Sequence, residues 1–306
     1  LSMPLHSGSD AVHRDSAPNN LNAKAPLRLA EIVLAVAMLV AIALFFASLS
    51  ASPNFQWGVF ARYVTADLVL SGIRVTLTLT VIASVLGLAV GLLLAAMSTS
   101  SLRPLRWMAG TYIWCSRGTP VLMHLLLWFN LALFFPVVSI GIPFVYSAWQ
   151  IPTNQLITSF TASILGLGLS EAAYMAEIVR GGLNAVDHGQ VEAGRALGLR
   201  RSQILIFVQL PQTMRAIIPP ISNQIILMLK TTSLVSVIAG NDLLTRVKDI
   251  YNDNFQVIPL LLVATFWYLA FASVATIFQH YLEARFSRDL VGRRVRKTLM
   301  TSEVAL

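Results

Sequence analysis

The sequence predicts an all-α integral membrane protein, and three observations carry that prediction. The 306 residues are 56% hydrophobic and only 12% charged, with a mean hydropathy of +0.70, too apolar for a soluble domain of this length. The apolar residues gather into runs of the length a helix needs to cross a bilayer, roughly 20 residues. The connections between those runs alternate between Lys- and Arg-rich and Lys- and Arg-poor, the pattern of a chain that retains its basic loops in the cytoplasm.

Six spans follow, at about 29–49, 74–97, 108–135, 155–178, 212–238 and 257–282. Residues 1–27 are polar, with Pro, Asn, Ser and His, and read as a disordered cytoplasmic segment. Residues 28–50 read as an additional N-terminal transmembrane helix. The alternative, a cleaved leader over 1–52, would need an apolar region longer than the usual 7–15 residues. From Gly118 to Ser170 there is no Asp, Glu, Lys or Arg, but Pro136, Gly141, Pro143 and Pro152 break the stretch into two spans and a neutral loop. The basic tail at 287–306, continuing the run from Arg285 to Lys297, suits a topology anchor against anionic lipid headgroups.

Placing both termini in the cytoplasm puts sixteen of the 22 Lys and Arg inside, among them Arg103, Arg106, Arg195, Arg200 and Arg201. Outside fall only Arg62, Arg74, Arg246 and Lys248, with Arg117 and Lys230 left within spans. The net charge of +8 is thereby used for topology and requires no nucleic-acid partner. The single Cys115 lies in an apolar span and cannot form an intramolecular disulfide. His124 and His280 are isolated, and no Cys/His/Asp cluster has metal spacing, so neither a metal site nor a catalytic residue is expected. Trp107, Trp114, Trp149 and Trp267 suit interfacial or packing positions, and the Gly87-x-x-x-Gly91 spacing suits close helix approach within the subunit.

Residues 183–211 form a polar island between two apolar runs. Asp187 and Gln190 are placed as N-cap and N3 of a short helix, and Gly198 is placed to end it in a left-handed cap. Ser202 then starts a second helix that runs to Pro211. A basic helix-turn-helix of this size between spans, carrying Gly189, Glu192, Ala193, Gly194, Gly198, Leu210 and Pro211, is a knob for another protein to grip.

Ionisable residues inside spans cost roughly 2.5–3.5 kcal/mol at the bilayer centre and are functional candidates for that reason. Arg117, Glu171, Glu177 and Lys230 qualify. On a helix Ser170, Ala173 and Glu177 share a face, with Glu171 about 120° away from Glu177. Glu177 either faces a substrate cavity or pairs with Arg180, and Glu171 either does the same or pairs with Arg117 or Lys230. Arg117 opens Arg-Gly-Thr-Pro, where Gly118 and Pro120 loosen the helix. Lys230-Thr231-Thr232-Ser233 interrupts the fifth span, and its hydroxyls either line a path or bond back to their own backbone.

The string Glu192-Ala193-Gly194, then Gly198, then Val208 and Leu210-Pro211, resembles the coupling loop of the membrane subunits of bacterial ABC importers. Leu70 to Thr80, Arg117-Gly118-Thr119-Pro120, Ala173 to Gly182 and Lys230 to Leu234 extend the resemblance over about 66–286 and narrow it to the polar amino-acid permeases of histidine, glutamine and arginine type. That resemblance implies the type I importer membrane domain, a five-span core here preceded by one extra N-terminal span, with its coupling loop at 183–211. It implies a second permease subunit of the same or a related chain, two cytosolic ABC ATPases that bind ATP and Mg, an external substrate-binding protein, and residence in the bacterial inner membrane. This chain has no phosphate-binding Gly-x-x-x-x-Gly-Lys-Ser/Thr loop, so it is expected to be non-catalytic, with no cofactor of its own. A stand-alone ion-coupled carrier is the competing class. Such carriers commonly show two related halves, and no motif repeats between the halves of this chain.

Overall fold

The computed structural model describes residues 29–142 and 146–303. The polar segment 1–27 lies outside them. Two units are distinguished, Leu1–Phe55 and Gln56–Leu306. The described part of the first is helix α1 (Leu29–Ser50) and a 3-10 turn at Pro53–Phe55. An 18-residue window of α1 has mean hydropathy 2.5; a helix apolar all round is suited to lipid or to a protein interior, not to water.

The second unit is helical apart from one hairpin. It comprises α2 (Trp57–Tyr63), α3 (Asp67–Ser98), α4 (Arg103–Gly118), α5 (Val121–Phe129), α6 (Leu131–Phe134), β1 (Val137–Ile142), β2 (Tyr146–Pro152), α7 (Thr153–Leu156), α8 (Ser159–Asn184), α9 (His188–Ala196), α10 (Arg201–Gln203), α11 (Leu210–Thr231), α12 (Leu243–Asn254) and α13 (Val257–Glu303). A π-helical turn at Ile204–Gln209 joins α10 to α11, and a 3-10 stretch at Thr232–Ile238 follows α11. The neutral loop expected after the third span contains the antiparallel pair β1–β2, with Val137 opposite Pro152.

Among the described residues five helical runs are long and apolar enough to cross a membrane. The expected third span, 108–135, is not one of them as a continuous helix. It is split into α4, α5 and the short α6, and α4 parts from α5 because Thr119, held extended at φ −107°, ψ 133°, precedes Pro120, whose ring excludes the α conformation from its neighbour. The helix expected to run from Ser202 to Pro211 does not stop there either. Pro211 sits in the first turn of α11, and the wider π turn just before it carries the chain past a residue that cannot donate a backbone hydrogen bond.

The core is built where α3 lies against α8. In lipid, helices gain little from hiding apolar surface from one another, so close contact between small residues has to supply the attraction. Gly87 and Gly91 provide it: a Cβ on Gly91 would lie 2.6 Å from the Met175 Cβ and 3.0 Å from the Ala172 carbonyl oxygen. Leu79, Ala83, Leu125, Ala162, Leu167 and Met228 close one apolar cluster around this contact, and Leu94, Ala109, Ile113, Ala172, Ala173 and Ala176 another. A third cluster joins Val69 and Ile73 of α3 to Leu243 and Val247 of α12 and Leu260 and Val263 of α13. There Leu243 N donates to Thr76 Oγ1 at 3.0 Å, and Asp242 caps α12 by accepting from Leu244 N at 3.0 Å.

Candidate functional site

Two cavities lie along α8. The first, about 570 Å3, is lined by Arg117 and Gly118 with Trp114 from α4, by Tyr174, Glu177 and Arg180 from α8, and by Ser98. Arg180 grips both oxygens of Glu177, Nη2 to Oε2 at 2.6 Å and Nε to Oε1 at 3.2 Å. Arg117 approaches the same carboxylate at 3.8 Å and lays its guanidinium 5.7 Å from the centre of the Tyr174 ring. Glu177 therefore both lines a cavity and pairs with Arg180, the two roles that sequence left open. The cluster holds two guanidinium groups and one carboxylate.

The second cavity, about 270 Å3, is lined by Ser170, Glu171 and Tyr174 of α8, by Gln224, Leu227, Met228 and Thr231 of α11, and by Val121 and Leu167. Glu171 is only 6% exposed. Its Oε2 accepts from Gln224 Nε2 at 3.1 Å. Of the two roles open to it, Glu171 takes the cavity, and the alternative ion pair with Arg117 or Lys230 is not formed among the described residues: Arg117 is turned to Glu177, and Lys230 is exposed on α11. Ser170 shares the cavity of Glu171, not that of Glu177, so the face drawn through Ser170, Ala173 and Glu177 divides between two cavities. Tyr174 is their common wall.

The hydroxyls after Lys230 take the backbone option. Thr231 Oγ1 donates to the Leu227 carbonyl at 2.9 Å, Thr232 Oγ1 to that of Leu229 at 2.6 Å and Ser233 Oγ to that of Lys230 at 2.8 Å. Of the three, Thr231 reaches the cavity wall. Sequence reasoning passed over Tyr174 and Gln224. Tyr174 stands one helical turn before Glu177, a spacing that puts both on one face, and Gln224 closes the polar string Ser222-Asn223-Gln224 within the fifth span, which was a usable signal.

The polar island folds as two short helices with a tight corner. Asp187 Oδ1 accepts from Gly189 N at 2.8 Å, the expected N-cap. Gly198 has φ +77°, Gly198 N donates to the Arg195 carbonyl at 2.9 Å and Leu199 N to that of Gly194 at 3.1 Å, which together make a Schellman end. Gln190 occupies N3, but its side chain does not close a capping box. Its Oε1 accepts from Gln212 Nε2 at 2.6 Å, and the same amide donates to the Val208 carbonyl at 2.8 Å. Gly194 is buried because Ile204 packs over it: a Cβ there would lie 3.2 Å from Ile204 Cγ1. Gly189, Glu192, Ala193, Gly198, Leu210 and Pro211 are exposed, as are the apolar side chains of Leu197, Ile206 and Phe207.

Residues 87–288, which hold the α8 walls of both cavities, the α11 wall of the smaller one and the whole knob, match the family described as the binding-protein-dependent transport system inner membrane component. The chain belongs to this family. Over 285 residues it is 38% identical to the arginine transport system permease protein ArgU of Corynebacterium glutamicum, covering 91% of this chain and 88% of that protein. Over 218 residues it is 32% identical to the L-cystine transport system permease protein TcyB of Bacillus subtilis, covering 71% and 86%. Among solved structures, an amino acid ABC transporter crystallised with histidines aligns at TM-score 0.64 and 32% identity over 76% of this chain and 99% of that one. A chain of the MetNI methionine ABC transporter aligns at TM-score 0.56 and 16% identity and shares the fold. The protein is thus the multi-pass permease subunit of an amino-acid ABC importer, with the all-α type I permease fold.

Proposed function

We propose that this subunit lines the route of a polar amino acid and that Arg117 reads the solute's carboxylate. The observation that carries this reading is the surplus positive charge on the larger cavity's wall. Arg180 occupies both oxygens of Glu177, so Arg117, at 3.8 Å, keeps donors for a second carboxylate, and a guanidinium matches that group with two parallel hydrogen bonds. Arginine is the first solute to test, because the relative that spans 91% of this chain is named for its transport. Glu171, Ser170 and Thr231 extend the same route, and Lys230, Thr232 and Ser233 hold the turn of chain behind it.

The working unit on this reading pairs the chain with a second permease subunit, identical or related, with two cytosolic ABC ATPases that hold ATP and Mg, and with an external substrate-binding protein. The chain itself is non-catalytic. The knob of α9 and α10 is the ATPase's grip, through Gly189, Glu192, Ala193, Gly194, Gly198, Leu210 and Pro211. The Lys and Arg bias supports cytoplasmic termini and a cytoplasmic knob in the inner membrane.

Reconstituting the permease with its ATPase and binding protein in liposomes tests the proposal. Arginine uptake is expected to require ATP inside the ATPase-facing compartment, and Arg117→Gln is expected to raise the KM for arginine at least about tenfold, the loss of a charge-assisted bidentate contact. Uptake that proceeds without the ATPase and collapses with the proton gradient would instead show a stand-alone carrier.

A further inference from the structure

We infer that the open face of α4 is a binding site for an anionic phospholipid, with Arg103 and Arg106 on the headgroup phosphate and Trp107 and Trp114 along the glycerol and the first part of the acyl chains.

Arg103, Arg106, Trp107, Gly110, Thr111 and Trp114 line a groove of about 540 Å3, within the range of an ordinary small-molecule site. Their spacing, mostly three or four residues at a step, puts them on one face of the helix. Among the described residues nothing covers that face: Trp107 is 80% exposed and Trp114 76%. The face is graded along its length. Two guanidiniums stand at its start, beside the turn that joins α3 to α4, and the indoles follow one turn and three turns on. A bilayer leaflet is graded in the same sense, from charged headgroup through the level that suits indoles to hydrocarbon. Neither guanidinium has an acidic partner among the described residues. The Arg103 side chain makes no hydrogen bond there, and Arg106 spends one donor on the Ser100 carbonyl, Nη1 to O at 3.1 Å, which leaves most of its five donors open. Leu102, at the N-cap of α4, has no side-chain oxygen to cap the helix, so the positive end of α4 adds to the attraction for an anion.

The apolar part of the groove points to the same occupant. Gly110 lies inside α4, where glycine is less favourable than alanine, and no contact in this chain requires it: nothing stands within 4 Å of where its Cβ would be. Gly87 and Gly91, by contrast, each meet α8 at under 3 Å. Gly110 therefore keeps room for something this subunit does not supply. The indole N–H groups of Trp107 and Trp114 and the Thr111 hydroxyl are also without a hydrogen-bond partner among the described residues. A phospholipid answers each of these, with phosphate oxygens for the guanidiniums, ester carbonyls for the indoles and hydrocarbon over Gly110. A soluble anion would satisfy the arginines alone. A second copy of the subunit docked through this same face would bring two more guanidiniums and no carboxylate. Gly110 and Trp114 also border the larger cavity, so the lipid lies against one wall of the proposed solute site.

The test is native mass spectrometry of the permease–ATPase complex, stripped of lipid in detergent and titrated with phosphatidylglycerol or with phosphatidylcholine of the same chains. The native complex is expected to bind its first phosphatidylglycerol molecules at least about tenfold more tightly than phosphatidylcholine. Arg103→Gln with Arg106→Gln is expected to bring that ratio to within about twofold while the subunit stoichiometry is kept. Gly110→Leu is expected to weaken both lipids alike, because it fills the floor of the groove without touching its charge. Arg293→Gln with Arg294→Gln, in the basic tail, is expected to leave the ratio as it was. A native ratio near one, a ratio kept after loss of both groove arginines, or undiminished binding by Gly110→Leu overturns the site. An equal fall in the tail variant does so too, since it would show diffuse attraction to basic charge. Displacement of phosphatidylglycerol by millimolar inorganic phosphate would make the groove a site for a soluble anion, and dissociation of the permease pair in either groove variant would make it a subunit interface; both results overturn the lipid.

Discussion

The coupling knob and the cavities beside α8 handle their polar groups in opposite ways. On the knob nearly every polar contact is closed within five residues: Asp187 to Gly189, Arg195 to Gly198, Gly194 to Leu199, Arg200 to Gln203. Its apolar side chains, Leu197, Ile206 and Phe207, are left outside. In the cavities one tight pair, Arg180 with Glu177, stays within α8, but Arg117 to Glu177 and Gln224 to Glu171 cross between helices and join residues far apart in the chain, against apolar clusters packed inward. The knob is a self-contained shape that presents an apolar surface to something else. The cavities exist only as long as the helices keep their spacing.

The sharpest way to break that comparison is to spoil the spacing and see which region suffers. In Gly91→Leu a side chain must enter where even a Cβ would stand 2.6 Å from Met175. Overpacking of this kind costs roughly 1–3 kcal/mol and more when backbone must move. Complex yield and thermal stability are expected to fall, and amino-acid binding by the fraction that survives is expected to be lost, whereas that fraction still captures the ATPase. Normal binding of solute by Gly91→Leu would show that α3 and α8 do not set the cavity geometry.

The converse change strikes the knob alone. Gly198 has φ +77°, where a β-branched residue is strained, so Gly198→Val is expected to destabilise the corner by about 1–2 kcal/mol. Co-purification with the ATPase and ATP-driven uptake are expected to drop together while arginine binding in nanodiscs is kept. Gly198→Asn, which tolerates the left-handed conformation better, is expected to lose less. Equal ATPase capture by native, Val and Asn forms would remove the corner from the coupling surface.

This contrast also explains what could be read from the sequence. The knob was legible because its signals are local: an Asp before a helix, a Gly after it, a Pro beyond. Long apolar runs were legible for the same reason, and gave the spans at α1, α3, α8, α11 and α13. The break at Gly118–Pro120 was visible as a motif, but whether a Pro kinks a helix or ends it depends on neighbours that sequence order does not supply. The cavity partners were the least legible. For Glu171 the sequence offered Arg117 and Lys230 as partners, and only the packing of α11 against α8 brings Gln224 to it instead. The π turn before Pro211 was hidden too, since it is the response of a continuous helix to a missing donor and not a property of any residue in Ile204–Gln209.

The smallest expected effect tests the one long bridge on the knob. Gln212 donates to Gln190 Oε1 and to the Val208 carbonyl, linking α9 to the start of α11 across 22 residues of sequence. It is the exception to the knob's otherwise local bonding, and it lies where α11 leaves the knob for the membrane. Each bond is worth about 0.5–1.5 kcal/mol net at most, and water can replace a good part of both because Gln190 is exposed. Gln212→Ala is therefore expected to leave assembly and arginine binding unchanged and to cut ATP-driven uptake by no more than about threefold, through a looser hinge between α9 and α11, a ratio of roughly 0.6 kcal/mol. Gln212→Glu sharpens the point, since a carboxylate cannot donate to Gln190 Oε1 or to the Val208 carbonyl but keeps nearly the same shape. If uptake falls equally in Gln212→Ala and Gln212→Glu, the donated hydrogen bonds are what matter. If only Gln212→Ala falls, the side chain acts by filling space against Val208 and Pro211, and the knob's two helices are held together by packing alone.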